Sequence, residues 1–259
     1  DRALNWRVWQ ALSEQLRTID AHPLRVLEIG AGIGTMVERA QSWRLFDPVY
    51  HPLVEYTAID EQAENIDTAQ QLLATLPDRF TLKLEQADLF DFVERTEEFA
   101  KYDLVIAHAF LDLVDIAQTL PLLRRLMRED GLLYFTINFD GVTSLQPEID
   151  PAFDAQIEAL YHRTMDERVI DGVPSGDSHS GRHMFNHLRE AGVDILAAGS
   201  SDWVVFGGKG GYPADEAYFL HFIVNTMHGA LAQHPELDQP RFAEWINLRH
   251  HQIDSGDLV

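Results

Sequence analysis

Three glycines at alternate positions follow a short apolar run near the start of the chain. The stretch RVLEIGAGIGT at residues 25–35 places Gly30, Gly32 and Gly34 directly after that run. Glycine lacks a Cβ, so such a turn lets the backbone approach a bound molecule closely, and the N-terminus of a following helix favours an anionic group. The pattern therefore indicates either a site for a small charged molecule or a turn with only a structural role.

The spacing of these glycines separates two kinds of nucleotide site. A dinucleotide fingerprint needs G-x-G-x-x-G, and here the third glycine comes one residue early, which disfavours NAD. A phosphate-binding Walker loop needs Gly-Lys-Ser or Gly-Lys-Thr, and neither follows. A nicotinamide-dependent oxidoreductase is kept as an alternative, whereas a Walker-type nucleotidase is excluded.

Further polar residues stand where later apolar runs end. Asp60 closes YTAID, Asp88 lies in EQADLFDF, and His108 closes the apolar part of KYDLVIAHAF, with Asp112 four residues on. In an open α/β sheet, ligands bind beyond the carboxyl ends of the strands. A histidine there can accept a proton, since its unperturbed pKa is about 6.5.

Taken in order, these motifs resemble the class I S-adenosylmethionine-dependent methyltransferases. The first motif of that family is an acidic residue opening a glycine-rich turn, here Glu28-Ile-Gly30-Ala-Gly32-Ile-Gly34, and YDLVIAHAF and REDGLLYFTIN match its fourth-motif and fifth-strand regions. The resemblance implies S-adenosylmethionine as cofactor and S-adenosylhomocysteine as product. The cofactor-binding residues that it implies are Glu28 beside the ammonium, Gly30, Gly32 and Gly34 beside the methionyl part, Asp60 on the ribose hydroxyls, Asp88 near the adenine amino group, Leu89 against the adenine ring, and His108 beside the methyl group.

The alternation of strand and helix patterns predicts the fold class. Apolar strands at residues 25–29, 55–59, 80–84, 102–107 and 132–137 alternate with helical patterns such as ENIDTAQQLLATL and LPLLRRLMRED. This order predicts an α/β, doubly wound, mostly parallel sheet, for which the family has seven strands. We expect one methyltransferase domain over residues 1–259, with an N-terminal helix at 1–20 and a cofactor-binding core at 25–206.

The last third of the chain leaves two arrangements open. If VDILAAGSSDWVVF at residues 193–206 is one long sixth strand, the helical pattern at 212–256 is an insertion and DLV at the end of the chain begins strand seven; we favour this arrangement. If it is a hairpin, WVVF is strand seven and the helices are an appendage. In the first arrangement the helices are predicted to form a cap that would shield the methyl group from water.

Residues that shape an acceptor pocket are expected after the later strands. The stretch SGDSHSGRHMF brings His179, Arg182 and His183 together, and a guanidinium can bind an acceptor's carboxylate or phosphate. Asp112, Arg182 and Tyr212 are the predicted substrate-binding residues. His108 is the first candidate for a catalytic base, with His179 and His183 next. The two histidines four apart could hold a metal, but a full ligand set is not evident, so no metal is expected.

Composition limits the partners. Forty-two acidic residues against 20 basic ones give a formal charge of −22, which repels nucleic acid and anionic membranes. No cysteine is present and no apolar run is long enough to span a bilayer, so a cytoplasmic location is the default. We expect a small-molecule acceptor, methylated at an oxygen, nitrogen or carbon atom by in-line displacement. A non-catalytic S-adenosylmethionine-binding module is the other alternative, and the oligomeric state stays open.

Overall fold

The computed structural model describes residues 3–136, 139–170, 172–201 and 203–259, which divide into two compact units. The first unit contains Ala3–Asp140 and His179–Ser201, and the second contains Gly141–Ser178 and Asp202–Val259. The chain therefore passes from the first unit to the second after Asp140, returns to the first at His179, and enters the second again after Ser201. The domain limits predicted above stay a prediction.

In the first unit, helices and strands alternate along the chain, as the apolar patterns predict. The elements are α1 (Trp6–Leu16), β1 (Leu24–Ile29), α2 (Thr35–Ser42), β2 (Val54–Asp60), α3 (Ala63–Leu72), β3 (Phe80–Gln86), α4 (Leu89–Phe92), β4 (Tyr102–His108), α5 (Ile116–Leu126), β5 (Met127–Thr136) and α7 (Ser180–Glu190). Short 3-10 turns lie at Thr96–Glu98 and Leu111–Leu113.

The five strands of this unit form one parallel sheet in the order β3-β2-β1-β4-β5. Successive residues of a strand face opposite sides, and the core divides accordingly. In β1, Leu24 and Val26 belong to one buried cluster, whereas Leu27 and Ile29 belong to the other. Both faces of the sheet are therefore covered, which confirms the doubly wound α/β class.

The second unit is built on three long helices. These are α6 (Pro151–Asp166), α8 (Glu216–Leu231) and α9 (Gln239–Ser255), accompanied by a two-stranded hairpin of β6 (Val169–Ile170) and β7 (Val173–Pro174). Asp238 accepts a hydrogen bond from the Arg241 N–H and caps α9, as Asp238 and Pro240 in the sequence indicate. We did not predict α6 from its sequence, although Asp150 and Pro151 are the cap and first-turn residues that such a helix prefers.

All three helices contribute to one buried core. Ile157 of α6, Val224 of α8 and Trp245 of α9 are each at most 2% exposed and belong to the same cluster. At its edge the Arg249 side chain, fully buried, lies 3.0 Å from the Asp154 carboxylate and donates to the Pro147 carbonyl at 2.7 Å. The helical segment predicted at the chain's end thus folds together with α6, which comes much earlier in the sequence.

The prediction of a sixth and a seventh strand is wrong. Among residues 193–201 and 203–206 none is in a strand, and Leu196, Trp203 and Phe206 are about half exposed or more. The segment crosses from the first unit to the second after Ser201, so it connects the two units and does not lie along a sheet edge. The final DLV does not join the sheet either, because Val259 exchanges two backbone hydrogen bonds with Gln146 of its own unit. The sheet has five strands, not seven.

Smaller differences concern boundaries. The fifth strand begins at Met127, five residues earlier than predicted, and its register shifts between Tyr102 and Leu104 of the neighbouring strand. Residue 137, the predicted end of that strand, lies outside the described residues, as do the first two residues of the predicted N-terminal helix. In the described part of the chain, no helix is long and apolar enough to cross a membrane.

Candidate active site

The glycine-rich turn joins β1 to α2. Gly30, Gly32 and Gly34 all have positive φ, at +62°, +54° and +82°, a region that glycine enters without steric cost. A Cβ on Gly34 would lie 2.6 Å from the Cδ1 of Leu73, the residue directly after α3, so the missing side chain there serves packing. A Cβ on Gly32 would have no atom of the described residues within 4 Å. Gly32 therefore borders open space, which a ligand could occupy.

Asp60 ties the end of β2 to this turn. Its Oδ2 accepts the Gly32 N–H at 2.8 Å, and its Oδ1 accepts from the Gln62 N–H at 3.0 Å and the Asn65 side-chain amide at 2.9 Å. A carboxylate has about four lone-pair sites, so these three bonds leave room for about one more. The carboxylate fixes the turn and keeps acceptor capacity for a further hydroxyl.

Glu28 is buried beneath the turn. It lies in β1, is 2% exposed, and accepts a hydrogen bond at 2.8 Å from the Tyr56 hydroxyl on β2. Burial is the largest cause that raises the pKa of Glu28, the Tyr56 hydrogen bond lowers it, and the charge of Asp60 raises it, so that the resulting pKa is about 8. At neutral pH the Glu28 carboxyl is therefore mostly protonated, and a nearby cation would favour its ionised form.

Asp88 and Leu89, at the start of α4, have structural roles that the sequence left open. Asp88 is the N-cap of α4: its Oδ1 accepts from the Phe90 N–H at 2.7 Å and the Asp91 N–H at 3.3 Å. Leu89 is 3% exposed and belongs to one of the two sheet cores. The cap occupies one oxygen of Asp88, so any adenine contact would use the other.

His108 ends β4 directly opposite Thr136, which ends β5. The His108 Nδ1 lies 2.6 Å from the Thr136 Oγ1, and the imidazole packs edge-on against Tyr134 with 5.1 Å between ring centroids. Burial and, to a smaller extent, the positive charge of Arg39 together lower the pKa of His108 to about 4. The imidazole is therefore neutral at physiological pH.

The second nitrogen of this imidazole is one of several buried side-chain atoms in the described part of the chain for which no hydrogen bond is found. The His108 Nε2 is buried and has no hydrogen-bond partner among the residues that the structure describes. Buried polar atoms are nearly always paired, so one left unpaired at a strand's carboxyl end marks a place where a bound molecule could supply the partner.

For the residues predicted to bind the acceptor, the structure gives less indication of a ligand site. Arg182 lies in the first turn of α7, and its side chain contacts Asp140, with Nε 3.3 Å from Oδ1 and Nη2 donating to the carbonyl at 2.8 Å. His179 and His183 flank it with 6.1 Å between their ring centroids. Asp112 is half-buried in the 3-10 turn four residues after His108. Tyr212 is in the second unit and donates to the Leu258 carbonyl at 2.7 Å.

The carboxyl ends of β1, β2 and β4 thus bring Glu28, the glycine turn, Asp60 and His108 to the same side of the sheet. The strands end together there because Ile29 is in register with both Ile59 and Ala107. Sequence reasoning missed Thr136, Arg39 and Asn65. Thr136 could have been found, since a polar residue ending the fifth strand must stand beside one ending the fourth.

Residues 27–133 match a protein-family profile described as a methyltransferase domain. None of the curated proteins matches the chain significantly. Among solved structures, the chain is similar to the CurJ carbon methyltransferase (27% identity over 45% of this chain and 30% of that one, TM-score 0.37) and to the methyltransferase CalH in complex with S-adenosylhomocysteine (26% identity over 49% and 35%, TM-score 0.39).

A third solved structure aligns with most of this chain. It is the cyclopropane synthase MmaA2 from Mycobacterium tuberculosis, with 11% identity over 96% of this chain and 80% of that one and a TM-score of 0.49. The chain spans about a third of the length of CurJ and CalH.

Proposed function

We propose that the protein transfers a methyl group from S-adenosylmethionine to a small-molecule acceptor, which the match of residues 27–133 to a methyltransferase family profile supports. The observation that carries the proposal is the arrangement at the carboxyl ends of β1, β2 and β4. There the open space beside Gly32 and the remaining acceptor capacity of Asp60 occur together with the Nε2 of His108, which has no partner among the described residues.

These residues fit the chemical groups of the cofactor. The N-terminus of α2, which begins directly after the turn, favours a carboxylate, and Glu28 can become an anion beside an ammonium. Asp60 would accept a ribose hydroxyl with its remaining lone pair, and Asp88 and Leu89 would meet the adenine. The residues thus offer an acceptor or a dipole of the right sign for each polar part of the molecule.

The protein's contribution to the reaction is orientation and exclusion of water. When bound, S-adenosylmethionine supplies a methyl group already activated by its sulfonium. His108, neutral and buried, would accept a hydrogen bond from a protic acceptor and hold its attacking atom in line. A group with a pKa of about 4 is a weak base, so we infer that orientation dominates over early proton removal. His179 and His183 remain second candidates.

We also infer the wider setting from composition. A formal charge of −22 disfavours nucleic acid and anionic membranes as substrates, and a chain without cysteine suits a reducing compartment, which favours the cytoplasm. Asp112, Arg182 and Tyr212 stay candidates for acceptor contacts. The segment at 212–256 stays a candidate cap.

Calorimetric titration with S-adenosylmethionine and S-adenosylhomocysteine tests the proposal. We expect saturable binding of both, and weaker binding to Asp60→Ala. Titration with NADH is the matched control for the oxidoreductase alternative. Binding of NADH without S-adenosylmethionine would overturn the proposal, whereas cofactor binding with no methyl transfer to any member of a small-molecule library would favour a non-catalytic binding module.

A further inference from the structure

Thr136 contacts the Nδ1 of His108. Among the described residues, this is the one ring nitrogen of His108 that has a hydrogen-bond partner. Both residues are the last of their strands and lie opposite each other in the β4–β5 register, so the backbone fixes their separation. The 2.6 Å between Oγ1 and Nδ1 is a short hydrogen bond, and the edge-on contact with Tyr134 restrains the ring from a second side.

This bond determines what the Nε2 atom can do. In a neutral imidazole one nitrogen carries the hydrogen and the other keeps its lone pair, and the partner of the first decides the arrangement. If Nδ1–H donates to Thr136, Nε2 presents a lone pair. If the hydroxyl donates to Nδ1, Nε2 presents an N–H.

One observation favours the lone pair at Nε2. The atom is buried without a partner among the described residues, and buried N–H groups left unpaired are rarer than unpaired acceptors. The positive charge of Arg39 on α2 disfavours a second proton on the imidazole and so keeps the ring neutral, but it does not distinguish the two neutral forms. The Nδ1–H form is the one that leaves no buried N–H of this ring unpaired among the described residues.

We propose that Thr136 is a positioning residue that holds His108 as its Nδ1–H tautomer, so that Nε2 accepts a hydrogen bond from a protic methyl acceptor. The inference rests on the proposed function and assigns the way in which His108 takes part in it. Thr136 contacts neither cofactor nor acceptor in this scheme; it acts through the histidine.

Nitrogen NMR of protein labelled with ¹⁵N-histidine tests the tautomer directly. The His108 signals are identified by their loss in His108→Gln. We expect the wild type to show a protonated Nδ1 and an unprotonated Nε2, Thr136→Val to lose this single-tautomer pattern, and Thr136→Ser to restore it, because serine keeps the hydroxyl. A wild type with a protonated Nε2, or an unchanged Thr136→Val, would overturn the positioning role.

Two probes of similar shape test the lone pair at Nε2. With S-adenosylhomocysteine present, phenol offers a hydroxyl hydrogen, whereas anisole does not. We expect phenol, and not anisole, to move the Nε2 resonance. A resonance that responds equally to both probes, or to neither, overturns the lone-pair role of Nε2. Calorimetry with S-adenosylhomocysteine on the same samples separates the two levels, since a wild type that fails to bind it refutes the proposed function itself.

Discussion

The Asp60 carboxylate accepts a hydrogen bond from the backbone N–H of Gly32, and this bond joins the end of β2 to the turn after β1. The carboxylate is 8% exposed and holds two further N–H groups on its other oxygen. One side chain thus shapes the turn and also faces the place assigned to the ribose. The two roles are coupled, so a change at Asp60 affects the turn and the ligand together.

Replacing Asp60 by alanine should therefore weaken S-adenosylhomocysteine binding by about 1–3 kcal/mol, roughly 5- to 150-fold, because buried donors lose a charged acceptor. Calorimetry measures the affinity. Asn65→Ala is the matched control, since it removes one bond to Asp60 without touching the Gly32 N–H. Equal affinities of Asp60→Ala and wild type would refute the ribose assignment.

Alanine at Gly32 should mainly weaken cofactor binding, whereas alanine at Gly34 should mainly lower the stability of the fold. Both variants pay roughly 1–2 kcal/mol for a side chain at positive φ. Gly34→Ala adds a clash with Leu73 and should lower the unfolding midpoint more. Gly32→Ala meets no described atom, so its larger loss should be cofactor affinity. Urea unfolding and calorimetry on both variants make the comparison, and unchanged binding by Gly32→Ala would mean that the open space is not the cofactor's.

Glu28 should give the stability a particular pH dependence. Its pKa is raised from 4.5 to about 8 on folding, so the folded state binds the proton more tightly than the unfolded state. This stabilisation is full below pH 4.5 and is lost as pH rises through about 8, at a slope of up to about 1.4 kcal/mol per pH unit. Glu28→Gln stays neutral, so its unfolding free energy, compared with wild type by urea titration between pH 5 and pH 8, should lack this decline. Parallel pH profiles of the two proteins would contradict the assignment.

Arg182→Ala should leave cofactor affinity unchanged and lower the unfolding free energy by less than about 1 kcal/mol, because its ion pair with Asp140 is half exposed on both sides. Asp140→Ala is the partner control. Once an acceptor is known, a raised KM in Arg182→Ala but not in Asp140→Ala would support an acceptor contact. Equal effects of the two variants would assign Arg182 to the scaffold.

In the second unit, Arg249→Ala should cost about 3–5 kcal/mol of unfolding free energy, because it leaves the mostly buried Asp154 carboxylate without its cation. Arg163→Ala is the matched control: it breaks an ion pair with Glu236 that is about half exposed on both sides, and should cost at most about 1 kcal/mol. Chemical denaturation measures both. Similar costs would show that burial of the Arg249 pair does not govern the stability of this unit.

Much of the first unit could be predicted from the sequence, because local patterns determine its strands and turns. Apolar runs followed by Gly30, Asp60 and His108 predict strands that end in functional residues, and the parallel sheet places those ends together. The family profile confirms the methyltransferase reading of residues 27–133. The individual roles of these residues stay predictions.

The tertiary structure alone decided what the chain does after β5. An alternating apolar segment becomes a strand only where a sheet edge accepts its hydrogen bonds, and residues 193–206 instead run between two units. Their sequence carries no sign of that. For the same reason α6 could not be linked to α8 and α9 in advance, since the shared core joins residues of α6 to residues of the later helices that are about 60 or more positions away.

The sequence determined which residues stand at the strand ends, and the tertiary structure decided their chemical state. Burial makes Glu28 a weak acid and His108 a weak base, and Thr136 and Arg39 act on His108 from other elements. A pKa depends on the solvent removed and on the charges that come near, and both are set by contacts between residues far apart in the sequence.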